Sequence, residues 1–474
     1  VAPYRGGAQL LKETTMSIFS ETANGAKTLK HSGSNLMDLF SKIGSSRQNL
    51  EGAKEMFSNA FLSNKELATA ILLYSRDVRN GLGERAVFKT ILSDLITFDT
   101  ELASKVISLI PALGRFSDLE VAFGTPLQDH ACKVWADELK KENALAFKWL
   151  YRECKVMRSF LGFANEASFR KFISKGRKGT IVESKMCEKE WSGIEYGKLP
   201  SIAGYRYSKA FKRNDKERYE TFMNSKETKV NASVVYPYEI FKLWNKDKSD
   251  SAAASKYWNS MPQLKIEKNI IVVADVSGSM SGATATEGTT CMDVSVSLGT
   301  YIAQQIQGHF NRKLITFSEN PTICTIPKSD DIGKVFSFVE RMEWGGTTNI
   351  QATYAAILKE AKKFEVPQKD MPEFILILSD MQFNPTGSDR MFDDVKNKFK
   401  EAGYKAPVVI FWNLNSGYSG SPVTSTEKNV VLVSGFGVAA LKAILACDIE
   451  KITPDGVMKE AIAPYVEMLN KLEV

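Results

Sequence analysis

Apolar positions recur at helical spacing between residues 35 and 160, and beyond residue 268 they gather instead into short unbroken runs. In the first stretch Leu36, Leu39, Phe40 and Ile43 share a face, then Ala68, Ala70, Ile71, Leu73 and Tyr74, then Val87, Phe88, Ile91, Leu92 and Leu95, so each set predicts an amphipathic helix. Gly81, Gly83, Pro111, Gly114 and Gly124 break the pattern into helices of ordinary length, which predicts a stack of helical hairpins without a fixed repeat. The later runs, KNIIVVADV, KLITFS, PTICTIP, FILILSD, PVVIFWNL and NVVLVSG, alternate with helical stretches over about 292–307, 332–342, 349–363, 389–402 and a final helix to Leu472. Apolar strands without strict alternation belong to a sheet covered on both faces. The predicted fold class is therefore multidomain: an all-helical, HEAT-like N-terminal region followed by a C-terminal doubly wound α/β domain.

Between the two, Asn245 to about Leu264 is polar and small, with NKDKSDSAAAS at its centre. This reads as a mobile or loosely packed linker, with the domain boundary near residue 264. Residues 1–21 read as a leader outside the fold: VAPYRGGAQLLKETT shows no period, and Met16 resembles a natural start, so the leader is a cloning remnant, a misassigned start or a processed end. The division is thus a leader over 1–21, a helical region over 22–264 and the α/β domain over 265–474.

Composition narrows the class. The chain of 474 residues, 43% hydrophobic, is long enough for two or three cores. No run approaches the roughly 20 apolar residues of a membrane helix, and no basic start precedes an apolar core at the N-terminus. A soluble, cytoplasmic protein is expected. Six scattered cysteines without a C-x-x-C pair, and only three histidines, argue against zinc or a disulfide framework. Charge is divided unevenly: through residue 265, 42 Lys and Arg stand against 30 Asp and Glu, and beyond it 20 stand against 25.

The candidate chemistry lies where IIVVAD opens into a loop. Asp275-x-Ser277-x-Ser279 leaves a strand with alternate side chains on one side, so three oxygen donors can face one point. Carboxylate and hydroxyl oxygens suit a hard divalent cation: Mg2+, or Mn2+ or Ca2+. Taken alone, the spacing also describes an ordinary Asx or Ser turn. Its position at the carboxyl end of a strand, with Asp380 closing FILILSD in the same way, favours a ligand site. The loop Gly345-Gly346-Thr347-Thr348-Asn349 offers a further donor, Thr348 by preference because it opens the helix, with Thr347 as the alternative.

A second candidate is the basic, aromatic tract of residues 167–223. Lys171, Lys175, Arg177 and Lys178 form one cluster, and Arg206, Lys209, Lys212, Arg213, Lys216 and Arg218 form another, interleaved with Tyr205, Tyr207, Phe211 and Tyr219. Cations can track phosphates while aromatic faces stack on unpaired bases. The four-residue spacing of Tyr207 and Phe211 equally suits a buried helical stripe under a solvated face. Acidic residues dilute the second cluster, so the first is the cleaner phosphate site.

The rim residues resemble the von Willebrand factor A fold and its metal-ion-dependent adhesion site (MIDAS), which implies Asp275, Ser277, Ser279, Thr348 and Asp380 as cation ligands. From about Thr22 the chain resembles a little-characterised family of viral, bacterial and eukaryotic proteins joining a helical region to an A domain. It is similar in plan to the TROVE module of the Ro autoantigen. The residues that carry this are Arg76-Asp77-Val-Arg79-Asn-Gly81-Leu-Gly83-Glu84-Arg85, Gly114-Arg-Phe-Ser-Asp118-Leu, Lys148-Trp149-Leu-Tyr-Arg152-Glu153, Met186-Cys187-x3-Trp191, Leu199-Pro200-Ser201 and Asn231-Ala-Ser-x3-Pro237-Tyr. The resemblance implies binding of small structured or single-stranded RNA. Ring closure between the two halves is not readable from sequence.

Two functions are expected from these features. One is a ribonucleoprotein scaffold, with RNA on Lys171, Lys175, Arg177, Lys178, Arg206, Lys209, Lys212 and Arg213, whose A domain recruits a protein through an acidic residue that completes the cation's shell. The other is a protein-binding adaptor or assembly component, possibly of a virus, that holds no RNA. A magnesium-dependent hydrolase is disfavoured, because no Ser, His and Asp set and no phosphate loop accompanies the ligands. Gly81-Leu-Gly83 is too short for a dinucleotide fingerprint and reads as a helix break. Whether the segment from Gly282 to Gly288 lids the cation or loops out is open.

Overall fold

The computed structural model describes residues 19–472 apart from 23–24, 26, 179–180, 226, 233–234, 249–250, 283, 287, 318–320, 343–348, 383–390, 416, 418–419 and 450. The helical region begins with α1 (Asn35–Ile43), whose N-cap Ser34 accepts from Met37 N. Asn64 ends the next helix, Leu50–Ser63, and caps α2 (Lys65–Arg76) by accepting from Leu67 N. Asp99 does the same between Arg85–Phe98 and Thr100–Leu113. A single capping residue thus turns the chain at each junction, and neighbouring helices pack as hairpins. Pro111, expected to break the pattern, sits in the last turn of Thr100–Leu113. So close to the helix end, it removes one backbone bond and the helix still runs two residues further.

The expected linker is not loose. Pro237–Lys246 forms α3, and Ala252–Asn259 forms α4, which buries Ala254, Tyr257 and Trp258. The Trp258 ring meets Phe336 edge-on at 5.1 Å and Tyr301 at 5.6 Å, and its Nε1 donates to Gln304 at 2.8 Å. These aromatic contacts outweigh the mobility that the small and polar residues suggest.

The α/β domain contains the expected doubly wound sheet. Its strands are β1 (Ile270–Asp275), β2 (Lys313–Phe317), β3 (Ile323–Thr325), β4 (Phe374–Ser379), β5 (Val408–Asn413) and β6 (Val430–Ser434). The order is 6-5-4-1-2-3, parallel except for the antiparallel edge strand β3. Every residue of β1, β4, β5 and β6 is buried, as two-sided coverage by helices requires. One covering helix, α5 (Cys291–Ala303), lies so close that a Cβ on Gly299 would stand 3.3 Å from Val272 and Leu314. Further along are α6 (Ile332–Val339) and the C-terminal α7 (Pro454–Asn470).

Both ends of the helical region rest on this domain. At one end α1 packs on β6 and α7, and α2 packs on α7. At the other, α3 packs on α5 and α4 on α6. The last three residues of the expected leader form a strand: Phe19–Glu21 pairs with Lys27–Leu29, and Leu29 exchanges backbone bonds with Ser421. Those bonds stitch the strand to the α/β domain, which a search for side-chain periodicity cannot detect.

The Gly81-Leu-Gly83 segment is the predicted break. Leu82 N bonds to Tyr74 O and Glu84 N to Ser75 O, and a Cβ on Gly81 would fall 1.9 Å from Tyr74 O. Around it Asp77 accepts from Arg79 N and Asn80 N through Oδ1 and from the Tyr465 hydroxyl through Oδ2, the last at 3.0 Å. Arg47 bonds Glu84 at 2.6 Å and stacks on Phe436 of the α/β domain at 4.5 Å. This motif joins the helical region to the α/β domain through buried polar groups.

Candidate cation site and basic face

β1 and β4 are neighbours at the point where the strand order reverses, since β1 leads to β2 on one side while β4 leads to β5 on the other. A crevice outside the carboxyl ends is the standard ligand position in such a sheet. Register pairs Ala274 with Leu378, so Asp275 and Asp380 leave adjacent strands at the same rim. Both are buried, as is Ser277, while Ser279 is exposed. The expected convergence of Asp275, Ser277, Ser279 and Asp380 on one rim is present; Thr347 and Thr348 lie outside the described residues.

The hydrogen bonds account for three of the four carboxylate oxygens. Asp275 Oδ1 accepts from Ser277 N at 3.0 Å, and Oδ2 accepts from Ser379 Oγ at 2.5 Å. Asp380 Oδ1 accepts from Gln382 N at 3.2 Å, but its Oδ2 is buried without a partner among the described residues. Ser277 Oγ and Ser279 Oγ stand 3.1 Å apart. Burial, with the charge of Asp380 added, pushes the Asp275 carboxyl up to about 6 against the pull of Ser379 and Ser277. Asp380 is raised too, by burial, against the Ser279 hydroxyl and backbone donors. No ion-pair partner holds either acid among the described residues. Paired buried carboxylates without a basic neighbour require a proton or a cation between them.

Two rim residues escaped the sequence reading. Ser379 donates to Asp275 and accepts from Met381 N at 3.0 Å, which locks the two loops together. Met381 is buried with φ +68°, the left-handed region that favours glycine. The Ser-Asp pair ending FILILSD was the available signal for Ser379; nothing local marks Met381. The segment between the rim and α5 folds as a hairpin, Thr284–Thr286 against Thr289–Thr290, and reaches residues 46–48 of the helical region.

The basic tract divides on inspection. Lys171, Lys175 and Lys178 are exposed, and so are Arg206, Lys209, Lys212 and Arg213. Arg177 is not part of that face: its guanidinium donates to the carbonyls of Phe147, Lys148 and Leu150 at 2.6–3.0 Å. Phe211 and Tyr219 are buried with Val182, Ile194 and Tyr196 in a second core, and Tyr207 packs against it. The aromatics with described side chains therefore form the buried stripe and offer no stacking platform; the side chain of Tyr205 lies outside the described residues. A further group of cations was missed. Arg115 stacks on Trp149 at 4.3 Å and is held below the ordinary arginine range by burial and then by Arg85, with Arg76 and Arg206 adding to it and Asp118 opposing.

Fold and rim together define a two-part protein, a helical region closed at both ends onto a doubly wound α/β domain with an acidic rim. Comparison with known proteins adds relatives of the same extent. Residues 269–464 match a domain of unknown function, DUF7788, and residues 152–269 match another, DUF2828. The chain is 26% identical over 517 residues to "Uncharacterized protein L728" of Acanthamoeba polyphaga mimivirus, covering 95% of this chain and 88% of that one. Among solved structures it is similar to the Deinococcus radiodurans Ro (RSR) protein, with a TM-score of 0.39, 10% identity, and coverage of 90% and 93%. A superposition that loose transfers neither residue roles nor function.

Proposed function

We propose that this protein is a binding scaffold, not an enzyme, whose α/β rim docks a protein partner through a divalent cation and whose helical region holds RNA. The observation that carries the reading is Asp380 Oδ2, buried at the same strand ends as Asp275 and without a partner among the described residues, none of which is a basic residue that neutralises either acid. Asp275, Ser277, Ser279 and Asp380 would hold Mg2+ or Mn2+, with Thr348 as a further donor. Among the described residues no group of three or more His, Cys, Asp or Glu gathers, so hydroxyl and water oxygens would complete the shell. Mg2+ tolerates such a shell, and it leaves a position for a partner's Asp or Glu. The bound ion supplies a positive centre that an acidic side chain can reach.

The RNA part rests on charge. Lys171, Lys175 and Lys178 form an exposed face, and Arg85, Arg115 and Arg206 bring cations from three separate segments within electrostatic reach of one another. Phosphate recognition without stacking predicts strong salt dependence and little sequence preference. The buried state of Phe211 and Tyr219 favours a second reading, an adaptor that holds no RNA. Purification with and without nuclease, followed by sequencing of bound RNA, separates the two. Changing Lys171, Lys175 and Lys178 to Glu should release the RNA; co-purification unaffected by that change would sink the assignment. For the rim, Mn2+ titration of the full chain should show one site that Asp380→Asn removes, and an unchanged isotherm would exclude the rim.

The described residues contain no helix long and apolar enough to cross a membrane.

A further inference from the structure

The helices Ile350–Lys363 and Met391–Glu401 lead into the neighbouring parallel strands β4 and β5, so they lie side by side and run in one direction, starting at the cation rim. A surface groove of about 320 Å3 runs between them, and every side chain that lines it is among the described residues. Its floor is apolar. Tyr354 and Phe399 are buried and meet edge-on at 6.0 Å, with Leu358 and the buried Val395 beside them. Tyr354 and Leu358 are one helical turn apart, as are Val395 and Phe399, so an apolar stripe from each helix follows the groove.

The lips of the groove carry unbalanced charge. Lys359 and Lys362 stand on one side and Lys398 on the other, all exposed, and their ammonium groups make no ion pair or hydrogen bond among the described residues. The lining acid, Asp394, keeps its charge, but it lies with Gln351 at the end nearer the cation rim. Glu360 is engaged elsewhere, with Lys313 of β2 at 2.5 Å. The end remote from the rim is therefore basic. An apolar floor between cationic lips suits a guest helix that seats its apolar face and sets its flanking acids on the lips. From Gln351 to Lys362 the groove is roughly 16 Å long at 1.5 Å per residue, about three turns of such a helix. We propose that this groove docks an acidic amphipathic helix of a partner protein, with aliphatic side chains on Tyr354, Leu358 and Phe399 and carboxylates against Lys359, Lys362 and Lys398. The surface is separate from the cation site, and the docking needs no metal.

The full chain in EDTA can be titrated by fluorescence anisotropy with a short labelled peptide carrying leucine at i, i+3, i+4 and i+7 and glutamate elsewhere. Two control peptides carry lysine in place of glutamate, or alanine in place of leucine. The acidic amphipathic peptide should bind at one saturable site, at least about tenfold tighter than either control. Lys359→Glu combined with Lys362→Glu should weaken it about tenfold or more, and so should Ala355→Glu, which sets an acid in the groove; all three positions are exposed. Each variant's urea midpoint shows whether it has folded. Equal binding of a control peptide, binding indifferent to these changes in folded variants, or the absence of a saturable site overturns the proposal. A dimer of the full chain that Ala355→Glu dissociates would assign the groove to a second copy and overturn it as well.

Discussion

Asp118 should be among the most costly side chains to alter in the helical region. It is fully buried and accepts from Arg76 Nε and Nη2 at 2.8 and 2.7 Å, from Arg85 Nε at 2.7 Å and from Arg115 N at 3.0 Å. Asp118→Asn keeps the shape but removes the charge, leaving the Arg76 guanidinium, whose side chain is 3% exposed, without neutralisation. Breaking one side of a buried pair costs about 3–5 kcal/mol. The Arg85 arm, 39% exposed, adds at most about 1 kcal/mol. The folded fraction relative to unfolded should therefore fall by roughly two to four powers of ten. Pulse proteolysis across a urea series measures this without requiring reversible refolding on heating. Adding Arg76→Met removes the stranded cation, so the double variant should recover about 1–3 kcal/mol of the loss. A cost under about 1 kcal/mol for Asp118→Asn, or no recovery in the double variant, would refute the account of a buried pair.

Three other outcomes follow from separate contacts. Arg177→Ala should destabilise by about 1.5–3 kcal/mol because three carbonyls lose a charged donor, whereas Lys175→Ala on the same helix should stay within about 0.5 kcal/mol; equal urea midpoints for the two would assign Arg177 to the solvated face after all. Gly81→Ala, which drives a Cβ onto the Tyr74 carbonyl, should cost at least about 2 kcal/mol, against a change within about 0.5 for Gly193→Ala, which meets nothing within 4 Å. The Asp99 carboxyl is held below its ordinary value, burial opposing and the Leu102 N–H and Lys65 lowering it, so it contributes stability above pH 3.8 that is lost as pH falls through its folded value. Asp99→Asn keeps a good N-cap and should flatten only that acid limb in urea titrations at several pH values; an unchanged acid limb would show the carboxylate to be idle.

The sequence made legible whatever local periodicity controls. The apolar runs beyond residue 268 identified the strands, and strand ends alone placed Asp275 and Asp380 on one rim, because adjacent parallel strands in register expose their carboxyl ends together. Where a residue's role depends on partners from distant segments, the same reading failed. Arg177 counted as one more cation until three carbonyls, 27 to 30 residues away, met it. Phe211 and Tyr207 had the spacing of a core stripe, but choosing core over stacking surface needed Val182, Ile194 and Tyr196 from other elements. The segment read as a polar linker holds Trp258, which Tyr301 and Phe336 of the α/β domain make part of the core.

Those distant contacts also imply that the two halves are not separable modules. α1 covers β6, and a Cβ on Gly44 would stand 2.8 Å from Gly435 N, an approach that leaves no room for slippage. The turn after β6 carries Gly435 at φ +115°, a conformation that itself favours glycine, so the close approach is built into the backbone on the α/β side. Ser45 Oγ reaches Asn415 O beyond the end of β5, and Met381, next to Asp380, lines a small gap together with Ser41 and Lys42 of α1. The helical region and the loop that carries one of the two rim carboxylates thus border one gap. Met381 N donates to the Ser379 hydroxyl, which in turn donates to Asp275, so the residue lining that gap is hydrogen-bonded into the rim. A cation bound as proposed would thus be held by a carboxylate one residue from a side chain that lines the seam between the halves.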